Sequence, residues 1–501
     1  MPGSGGERSL SGARGISPET CLLGALLLAL FGILELRPIT PHDFWWHVRT
    51  GALIAETGAI PSVDLFSFTR AGEPWVNQAW AMQLALYGIH AAGGPALVLF
   101  AHALTIALGY ALLVAALLRH HGARAAALGG SAAILLGWAN WAVRPQSFSF
   151  LAFGALVYLI ERHRHGSRRA LWGAVPLFAL WSNAHGGFVF GALALVCYAG
   201  GSLLELARRR GEGGLAAQRD AALAIAAPTG AALLALALNP LGPLGLAHYL
   251  LGFLAQSSTL AIVQEFQPLT VRNADGWICA GSAVALLALL TRRERPALGA
   301  DRIASLALFG LLALLSRRAL PWLGFAAAPV LAWLIAATSR ERSLGWLQGG
   351  ARPALCLAAA LLLAVLALPW LRPHVPALGG PRAWLSGDTP VAAMAELCTT
   401  AGQGARVYQA LPFASYQTWA CPELRVFQDT RFELYPDAQW RDYLSLQSAR
   451  FDWSEIAERH ALSHLFLSLA EQSDLAEAAA RSGAWVERYR DAVAVIFERA
   501  R

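Results

Sequence analysis

The sequence contains no lysine and few charges of either sign. All 39 of its basic residues are arginine, and charged residues occupy only 14% of the 501 positions, whereas hydrophobic residues occupy 56%. A soluble globular domain carries about 25% charged residues, so this composition excludes that class and indicates a polytopic membrane protein. The net charge of +7 comes without a basic patch interleaved with aromatics, so no nucleic-acid partner is predicted.

Metal-binding cysteine motifs and common catalytic motifs are also absent. The six cysteines show no CxxC spacing of the kind that binds zinc. The chain has no P-loop, no GxGxxG on a strand–helix unit, no HExxH and no GxSxG elbow, so an ATPase, a dehydrogenase and a zinc protease are unsupported. Cys398 and Cys421 lie in the C-terminal segment, where their pairing stays open.

Long apolar runs dominate the first three quarters of the chain. About 20 apolar residues cross a bilayer as a helix. Eleven such helices are predicted, at about 18–36, 95–118, 125–141, 146–160, 170–182, 187–206, 221–238, 275–290, 303–315, 319–338 and 353–371. A further apolar helix, 78–92, ends at Gly93, Gly94 and Pro95, and we expect it to be re-entrant or to lie along the surface.

The distribution of arginine predicts the orientation of these helices. One set of alternate loops holds 17 arginines, and the N-terminal tail adds Arg8 and Arg14. The opposite loops hold seven, at Arg37, Arg49, Arg70, Arg144, Arg272, Arg317 and Arg318. Because cytoplasmic loops carry the excess of arginine, residues 1–17 are predicted to be a cytoplasmic tail.

Three regions follow from this reading. Residues 18–372 form an all-α polytopic membrane domain of about eleven transmembrane helices, with a long first outer loop at 37–77. Residues 380–501 have shorter apolar runs and more charge, with predicted strands at 405–410, 424–429, 464–469 and 492–499 and predicted helices at 389–402, 437–449, 453–460 and 470–482. This alternation predicts a small extracytoplasmic α/β domain.

The first outer loop begins with the stretch ITPHDFWWHVRTGALIAETG, residues 39–58. Tryptophan favours the membrane–water boundary, so Trp45 and Trp46 are expected to set Asp43 at the level of lipid headgroups. Our main hypothesis is that Asp43 is the reacting carboxylate of an enzyme with a lipid-linked substrate. His42 and His47 flank it and either tune it or bind the substrate. The alternative is that Asp43 only caps a surface helix over 44–56.

Other uncommon polar residues fall on the same predicted side. Arg317 and Arg318 stand together between two apolar helices, where they either grip a phosphate or extend to the interface. Arg144 is a second candidate for phosphate. Polar groups at membrane depth often mark a working site, so one cavity at the outer leaflet is predicted.

Three more positions complete the candidate set. Asn183 and His185 stand before two glycines at a helix junction, and they either bind substrate or form a polar turn. Glu265 is either a second acidic group of the site or a carboxylate of a surface loop. Asp64 either caps a helix or acts as a second acid.

Short stretches along most of the chain resemble the GT-C superfamily of membrane glycosyltransferases, in particular a group of bacterial multi-pass proteins. The matching pieces are HDFWWHVRTG, IPSVDLFSFT, WVNQAW, WSNAHGGF, LNPLG, SRRALP and VFQDTRFELY. The resemblance implies a GT-C fold, a polyprenyl-phosphate sugar donor, and Asp43 as the acidic residue near the start of the first outer loop. Ala79 stands where a glutamate is expected in relatives, and no paired acidic motif adjoins Asp43.

These observations together predict a glycosyltransferase of the inner or plasma membrane. It would move a sugar from a polyprenyl-phosphate donor to a protein, lipid or glycan acceptor on the outer face. A divalent metal stays open as a cofactor. The alternatives are a transporter or flippase of lipid-linked saccharides, which would need polar residues in both halves of the bilayer, and an inactive envelope assembly factor with a GT-C scaffold.

Overall fold

The computed structural model describes residues 17–209, 214–255, 263–292, 297–338, 351–378 and 384–500. Most of these residues are helical. The helices of the N-terminal three quarters are α1 Pro18–Glu35, α2 Phe44–Thr57, α3 Trp80–His121, α4 Ala123–Gly137, α5 Gln146–Arg164, α6 Ala174–Ala184, α7 Phe188–Arg208, α8 Gly214–Ala235, α9 Gly242–Ala255, α10 Ala274–Leu290, α11 Ala300–Leu315, α12 Leu320–Thr338 and α13 Arg352–Leu366. Of the sequence-level assignments, the tail 1–16 and Arg210, Arg293, Arg295, Arg340 and Arg342 lie outside the described residues.

A helix lies at each of the eleven predicted apolar runs. Within the described ranges, five helical segments are long and apolar enough to cross a membrane: Pro18–Glu35, Trp80–His121, Phe188–Arg208, Gly214–Leu238 and Arg317–Thr338. The chain is therefore a membrane protein, whereas the number of spans and their orientation stay predictions.

Helix α3 includes the segment that was expected to be separate. It continues through the predicted break, but Gly93 and Gly94 leave helical geometry, with φ of −155° and +63°. Glycine tolerates both conformations, and Pro95 follows as the first residue of the second half. The predicted end at the double glycine is thus a kink between two helical segments.

The helices of the membrane half pack closely through small residues and a shared aromatic core. A Cβ atom on Gly109 of α3 would collide with the backbone of Phe150, and one on Gly154 would collide with the backbone of Gly109. These glycines let α3 and α5 approach at backbone distance, as helices in lipid often do. Phe153 of α5 stacks on Trp322 of α12 with ring centroids 5.4 Å apart.

The C-terminal region forms a small α/β unit. Its helices are α14 Val391–Thr400, α15 Leu411–Ala420, α16 Asp437–Gln447, α17 Trp453–Arg459 and α18 Ser473–Ser482, and its strands are β1 Val407–Gln409, β2 His464–Ser468, β3 Trp485–Arg490 and β4 Ala494–Arg499. The sheet order is β1-β2-β4-β3. Strands β1 and β2 are parallel, and β4 is antiparallel to both β2 and β3.

The sequence predicted most of this unit but missed two elements and misjudged one. Helix α15 and strand β3 were not expected. The strand predicted at 424–429 was wrong, because this segment forms only isolated bridges through Val426, to Ser67 and to Val407. Cys398 and Cys421 are joined as a disulfide with their Cα atoms 5.7 Å apart.

The first outer loop and the C-terminal unit share a hydrophobic core. Trp46, Phe66 and Trp75 of the loop belong to one buried cluster with side chains such as Tyr408 and Trp440. Backbone hydrogen bonds join Val426 to Phe66 and Phe68, each at 3.0 Å. The C-terminal unit therefore covers the loop that carries Asp43.

This cover corrects the expected environment of the two tryptophans. Trp45 and Trp46 are 3% and 7% exposed, so they do not lie free at a membrane boundary. Trp45 packs against Tyr416 with ring centroids 5.2 Å apart. Helix α2, which was expected to lie along the membrane surface, is held between α3 and α15.

Candidate active site

Asp43 begins α2 but does not cap it. It occupies the position before Phe44, yet its side chain makes no capping hydrogen bond. Its Oδ2 atom instead accepts a hydrogen bond from Nη1 of Arg144 at 3.2 Å. The purely capping role considered from the sequence therefore does not describe this carboxylate.

Arg144 joins Asp43 to a second carboxylate. Its Nη2 atom donates to Oε1 of Glu265 at 2.6 Å. The side chains of Arg144, Asp43 and Glu265 are 12%, 24% and 33% exposed. We call these three residues the site cluster. Its members come from three separate loops, and all three retain access from outside the protein.

The charges in the site cluster keep both acids ionised. Burial raises the pKa of the Asp43 carboxyl, but Arg144, the Thr430 hydroxyl and two histidines together lower it more, so the pKa lies below its ordinary value. The pKa of Glu265 is likewise lowered, since Arg144 and Arg318 outweigh the effect of burial. Asp43 is thus a carboxylate at neutral pH and has an oxygen able to accept a proton.

The C-terminal unit supplies Thr430 to this site. Its hydroxyl accepts a hydrogen bond from Nε1 of Trp46 at 3.0 Å and lowers the pKa of the Asp43 carboxyl. Trp46, three positions after Asp43, therefore positions a residue that lies far away in the chain. Sequence reasoning missed Thr430, although the stretch VFQDTRFELY that contains it was noted as resembling the family.

The two histidines beside Asp43 differ in their surroundings. His42 is exposed, whereas His47 is 8% exposed and lies on the Trp46 ring with centroids 3.6 Å apart. Nδ1 of His47 is 3.3 Å from Nε2 of Gln83. Burial lowers the pKa of His47 to about 3, so its imidazole is neutral at physiological pH.

His185 lies at the junction of α6 and α7 and is fixed by local hydrogen bonds. Its Nδ1 atom accepts from the backbone N–H of Gly187 at 2.9 Å and lies 2.8 Å from the Ser149 hydroxyl. Burial and then Arg318 and Arg144 lower the pKa of His185 well below its ordinary value. With Nδ1 as an acceptor, a neutral ring carries its proton on Nε2, which makes His185 a hydrogen-bond donor.

Asn183 is used within the fold. Its Oδ1 atom accepts from Nε1 of Trp80 at 2.8 Å, and its Nδ2 atom donates to the carbonyl of Ala179 at 2.8 Å. These contacts account for the polar turn that the sequence indicated. A role for Asn183 in substrate binding stays a prediction.

The adjacent arginines have different partners. Arg317 donates two hydrogen bonds to Asp275, which is 4% exposed and also accepts from Trp138. Arg318 forms no salt bridge among the described residues, and its guanidinium lies 4.9 Å from the centre of the Phe266 ring. It also acts electrostatically on Glu265 and His185. Arg318 is therefore the member of the pair with donors free for a ligand.

The residues around Asp43 do not fit a divalent metal. A guanidinium already bridges the two carboxylates of the site cluster. In the part of the chain that the structure describes, no group of three or more His, Cys, Asp or Glu side chains is arranged to hold a metal ion. We therefore derive no step through a metal.

Asp64 belongs to a separate ion cluster with Asp429 and Arg431. Arg431 donates to Asp64 at 2.5 Å and to Asp429 at 2.7 Å, and all three side chains are 0% exposed. Asp64 also accepts from the backbone N–H of Phe66 at 3.0 Å. We call these three residues the buried cluster. It joins the first outer loop to the C-terminal unit and gives Asp64 no access to a substrate.

The chain resembles known proteins in structure and not in sequence. No protein-family model and no curated protein sequence matches the chain. Solved structures do match. The archaeal oligosaccharyltransferase AglB from Archaeoglobus fulgidus, in complex with an inhibitory peptide and a dolichol-phosphate, aligns over 96% of this chain and 74% of its own length at 12% identity and a TM-score of 0.50.

Two further structures show the same similarity. The mycobacterial arabinofuranosyltransferase AftD aligns over 96% of this chain and 41% of its own at 14% identity and a TM-score of 0.52. ArnT from Cupriavidus metallidurans bound to undecaprenyl phosphate aligns over 95% and 97% at 15% identity and a TM-score of 0.49. The chain has the GT-C fold. The GT-C-like fold predicted from the sequence is thereby confirmed, whereas the number of spans and the side of the C-terminal unit stay predictions; the structural neighbours are glycosyltransferases.

Proposed function

We propose that this protein is a glycosyltransferase that moves a sugar from a polyprenyl-phosphate donor to an acceptor hydroxyl at the outer face of the membrane. The observation that carries the proposal is the site cluster, an ionised and accessible carboxylate held beside arginines at one end of a GT-C fold. The AglB neighbour binds a dolichol-phosphate, which supports a lipid phosphate as the leaving group here.

Asp43 acts as the general base. As the acceptor oxygen bonds to the anomeric carbon of the sugar, Asp43 takes the hydroxyl proton. The bond between the anomeric carbon and the phosphate oxygen breaks, and its electron pair leaves with the polyprenyl phosphate. Thr430 and Arg144 hold the Asp43 carboxylate in place during this transfer.

Arg318 receives the charge of the leaving phosphate. Guanidinium pairs well with phosphate through parallel hydrogen bonds, and Arg318 has no carboxylate of its own among the described residues. His185 donates from Nε2 to an oxygen of the donor. Arg144 donates one hydrogen bond to Asp43 and another to Glu265, so Glu265 helps to hold Arg144 in place. His42 and His47 flank the acceptor.

The disulfide between Cys398 and Cys421 supports placing the C-terminal unit outside the cytoplasm, because disulfides persist in oxidising compartments. The unit covers the first outer loop, so both would face the same side. This agrees with the orientation derived from the arginine distribution.

The test is transfer of radiolabelled sugar in membranes from cells that carry Asp43→Asn. We expect loss of transfer and accumulation of a carrier-linked saccharide, detected by mass spectrometry of lipid extracts. Asp388→Asn, at an exposed position of the C-terminal region, is the matched control and should transfer at the wild-type rate. Undiminished transfer by folded Asp43→Asn protein would remove Asp43 from the mechanism.

A further inference from the structure

The turn between α6 and α7, which carries His185, is held by side chains from two other segments of the chain. The carbonyl of Ser182 accepts hydrogen bonds from Nε2 of Gln78 and, at 2.7 Å, from Nδ2 of Asn239. Gln78 and Asn239 are 3% and 2% exposed, so water does not compete for these bonds. Three of the stretches noted in the sequence, WSNAHGGF, WVNQAW and LNPLG, therefore meet at this turn and fix its backbone.

Ser149 of α5 holds the imidazole ring of His185. Its Oγ atom is 2.8 Å from Nδ1 of His185, and the backbone N–H of Gly187 donates to the same nitrogen at 2.9 Å. A Cβ atom at Gly187 would collide with the Ser149 hydroxyl and would lie 2.9 Å from Nδ1 of His185. Any residue larger than glycine at this position would therefore disturb both contacts.

Trp181 decides which atom supplies the hydrogen between Ser149 and His185. Its indole Nε1–H, which can only donate, is 2.8 Å from Oγ of Ser149. Trp181 and Ser149 are both 0% exposed, and among the described residues the Ser149 side chain has hydrogen bonds only with Trp181 and His185. Since Oγ accepts from the indole, its own hydrogen is directed to Nδ1 of His185. Two donors then face Nδ1, so the ring proton lies on Nε2.

The Nε2 atom of His185 is the free end of this chain of hydrogen bonds. It has no hydrogen-bond partner in the described part of the chain, and the side chain is partly exposed. Ser149 lies in the first turn of α5, and the backbone N–H of Ser147 in that turn donates to the carbonyl of Arg144 at 3.0 Å. One end of α5 therefore joins Arg144 of the site cluster to the serine that directs His185.

We propose that Ser149 is a positioning residue of the transfer reaction: it orients His185 as a neutral group whose Nε2–H donates to an anionic oxygen of the sugar donor. This role of Ser149 rests on the proposed function, in which His185 contacts the sugar donor. The direction of that hydrogen bond is set by the relay from Trp181 through Ser149 to Nδ1. A hydrogen-bond donor that already points the right way when the substrate arrives needs no reorientation during the reaction.

The first measurement is ¹⁵N NMR of full-length protein in nanodiscs, labelled at histidine, in which His185→Asn identifies the His185 signals by their loss. We expect wild-type His185 to be neutral at neutral pH, with its proton on Nε2. In Ser149→Ala the Nδ1 resonance should shift, because one of the two donors to this nitrogen is removed. Ser282→Ala removes a hydroxyl of α10 that donates to the carbonyl of Ile278 at 2.8 Å. It is the matched control and should leave the His185 signals unchanged.

The second measurement is the initial rate of sugar transfer in a double-mutant cycle. Ser149→Ala should lower the rate by about 10-fold or more, since a group that is no longer held in its productive orientation loses much of its effect. In a His185→Ala background the same change should alter the rate by less than about 2-fold, because the ring through which Ser149 acts is already gone. Ser282→Ala should transfer at the wild-type rate.

The positioning role is overturned if wild-type His185 carries its proton on Nδ1, or if Ser149→Ala leaves either the Nδ1 resonance or the rate unchanged. It is also overturned if Ser149→Ala slows transfer as much without His185 as with it, since Ser149 would then only stabilise the fold. The wild-type spectrum tests the relay even if Ser149→Ala does not fold. Absence of transfer by a wild type that gives the expected spectrum would instead count against the proposed function.

Discussion

Two clusters of the same composition each include an acidic residue of the first outer loop, Asp64 in one and Asp43 in the other. Each has one arginine and two carboxylates. The buried cluster of Asp64, Asp429 and Arg431 is 0% exposed, whereas the members of the site cluster are 12% to 33% exposed. Ions removed from water hold each other in place, while ions that water can reach are able to exchange partners with a ligand. Identical chemistry therefore serves structure in one cluster and, in the function we propose, binding in the other.

The largest expected effect comes from Arg431→Met. This change leaves two buried carboxylates without their cation, and we expect the free energy of unfolding to fall by about 3–5 kcal/mol. Thermal unfolding of the purified protein in detergent measures it. Arg459→Met removes an arginine that is 60% exposed from its pair with Asp442 and should cost about 1 kcal/mol or less. Equal losses in the two variants would contradict the structural role of the buried cluster.

Arg144→Gln is the counterpart in the site cluster. We expect the rate of sugar transfer to fall by about 10²–10³-fold, because a charge fixed beside the reacting carboxylate is lost. Stability should fall by less than about 2 kcal/mol, since water can reach the two carboxylates that remain. The initial rate of label transfer and the unfolding temperature are measured on the same preparation. If Arg144→Gln unfolded as readily as Arg431→Met, the two clusters would not differ in their contribution to stability.

The neighbours Arg317 and Arg318 allow the same comparison one residue apart. Arg318→Gln should weaken binding of undecaprenyl phosphate by about 10-fold or more, because it removes a charged hydrogen-bond donor. Arg317→Gln should change this affinity by less than about 3-fold, since Arg317 is already paired with Asp275. Titration of both variants in nanodiscs measures the two affinities, and the reverse order of effects would show that Arg317 grips the phosphate.

The pH dependence of transfer gives the smallest expected effect. The pKa of Asp43 lies below the ordinary aspartate value of about 3.9. Asp43 is therefore ionised at every pH above this lowered pKa. Activity is expected to fall only when the pH drops through it. In Arg144→Gln the effect of burial remains while the largest opposing charge is gone, so the acid limb should move to higher pH. Initial rates across the acid range measure the shift. An acid limb that does not move would mean that another group titrates.

The sequence predicted the helical part of this protein well because its signals are local. Apolar runs of bilayer length marked the helices, and Gly93 with Gly94 marked the kink of α3. The GT-C resemblance and the position of Asp43 likewise came from short contiguous stretches. Each of these features is decided by residues that are near each other in the chain.

The partners of the charged residues were not predictable in the same way. Nothing near Arg317 in the sequence indicates that Asp275 pairs with it, nor that Arg318 forms no salt bridge with any carboxylate that the structure describes. The extended segment at 424–429 has the composition of a strand, but its neighbours are the loop at Ser67 and the end of β1, so it pairs only through isolated bridges. The place of Thr430 in the site likewise depends on Trp46, which only the fold brings near it.

The hydrogen bond between Trp46 and Thr430 joins positions 384 residues apart. During translation, Asp43 is synthesised early, directly after the first helix. Thr430, whose hydroxyl orients the Asp43 carboxylate, is synthesised only after the helices of the membrane half. The centre therefore remains incomplete while the membrane half is synthesised and closes when the C-terminal unit has folded onto the first outer loop. A chain that stalls or is clipped before residue 430 would keep the helices of the membrane half and lack the hydroxyl that contacts Trp46.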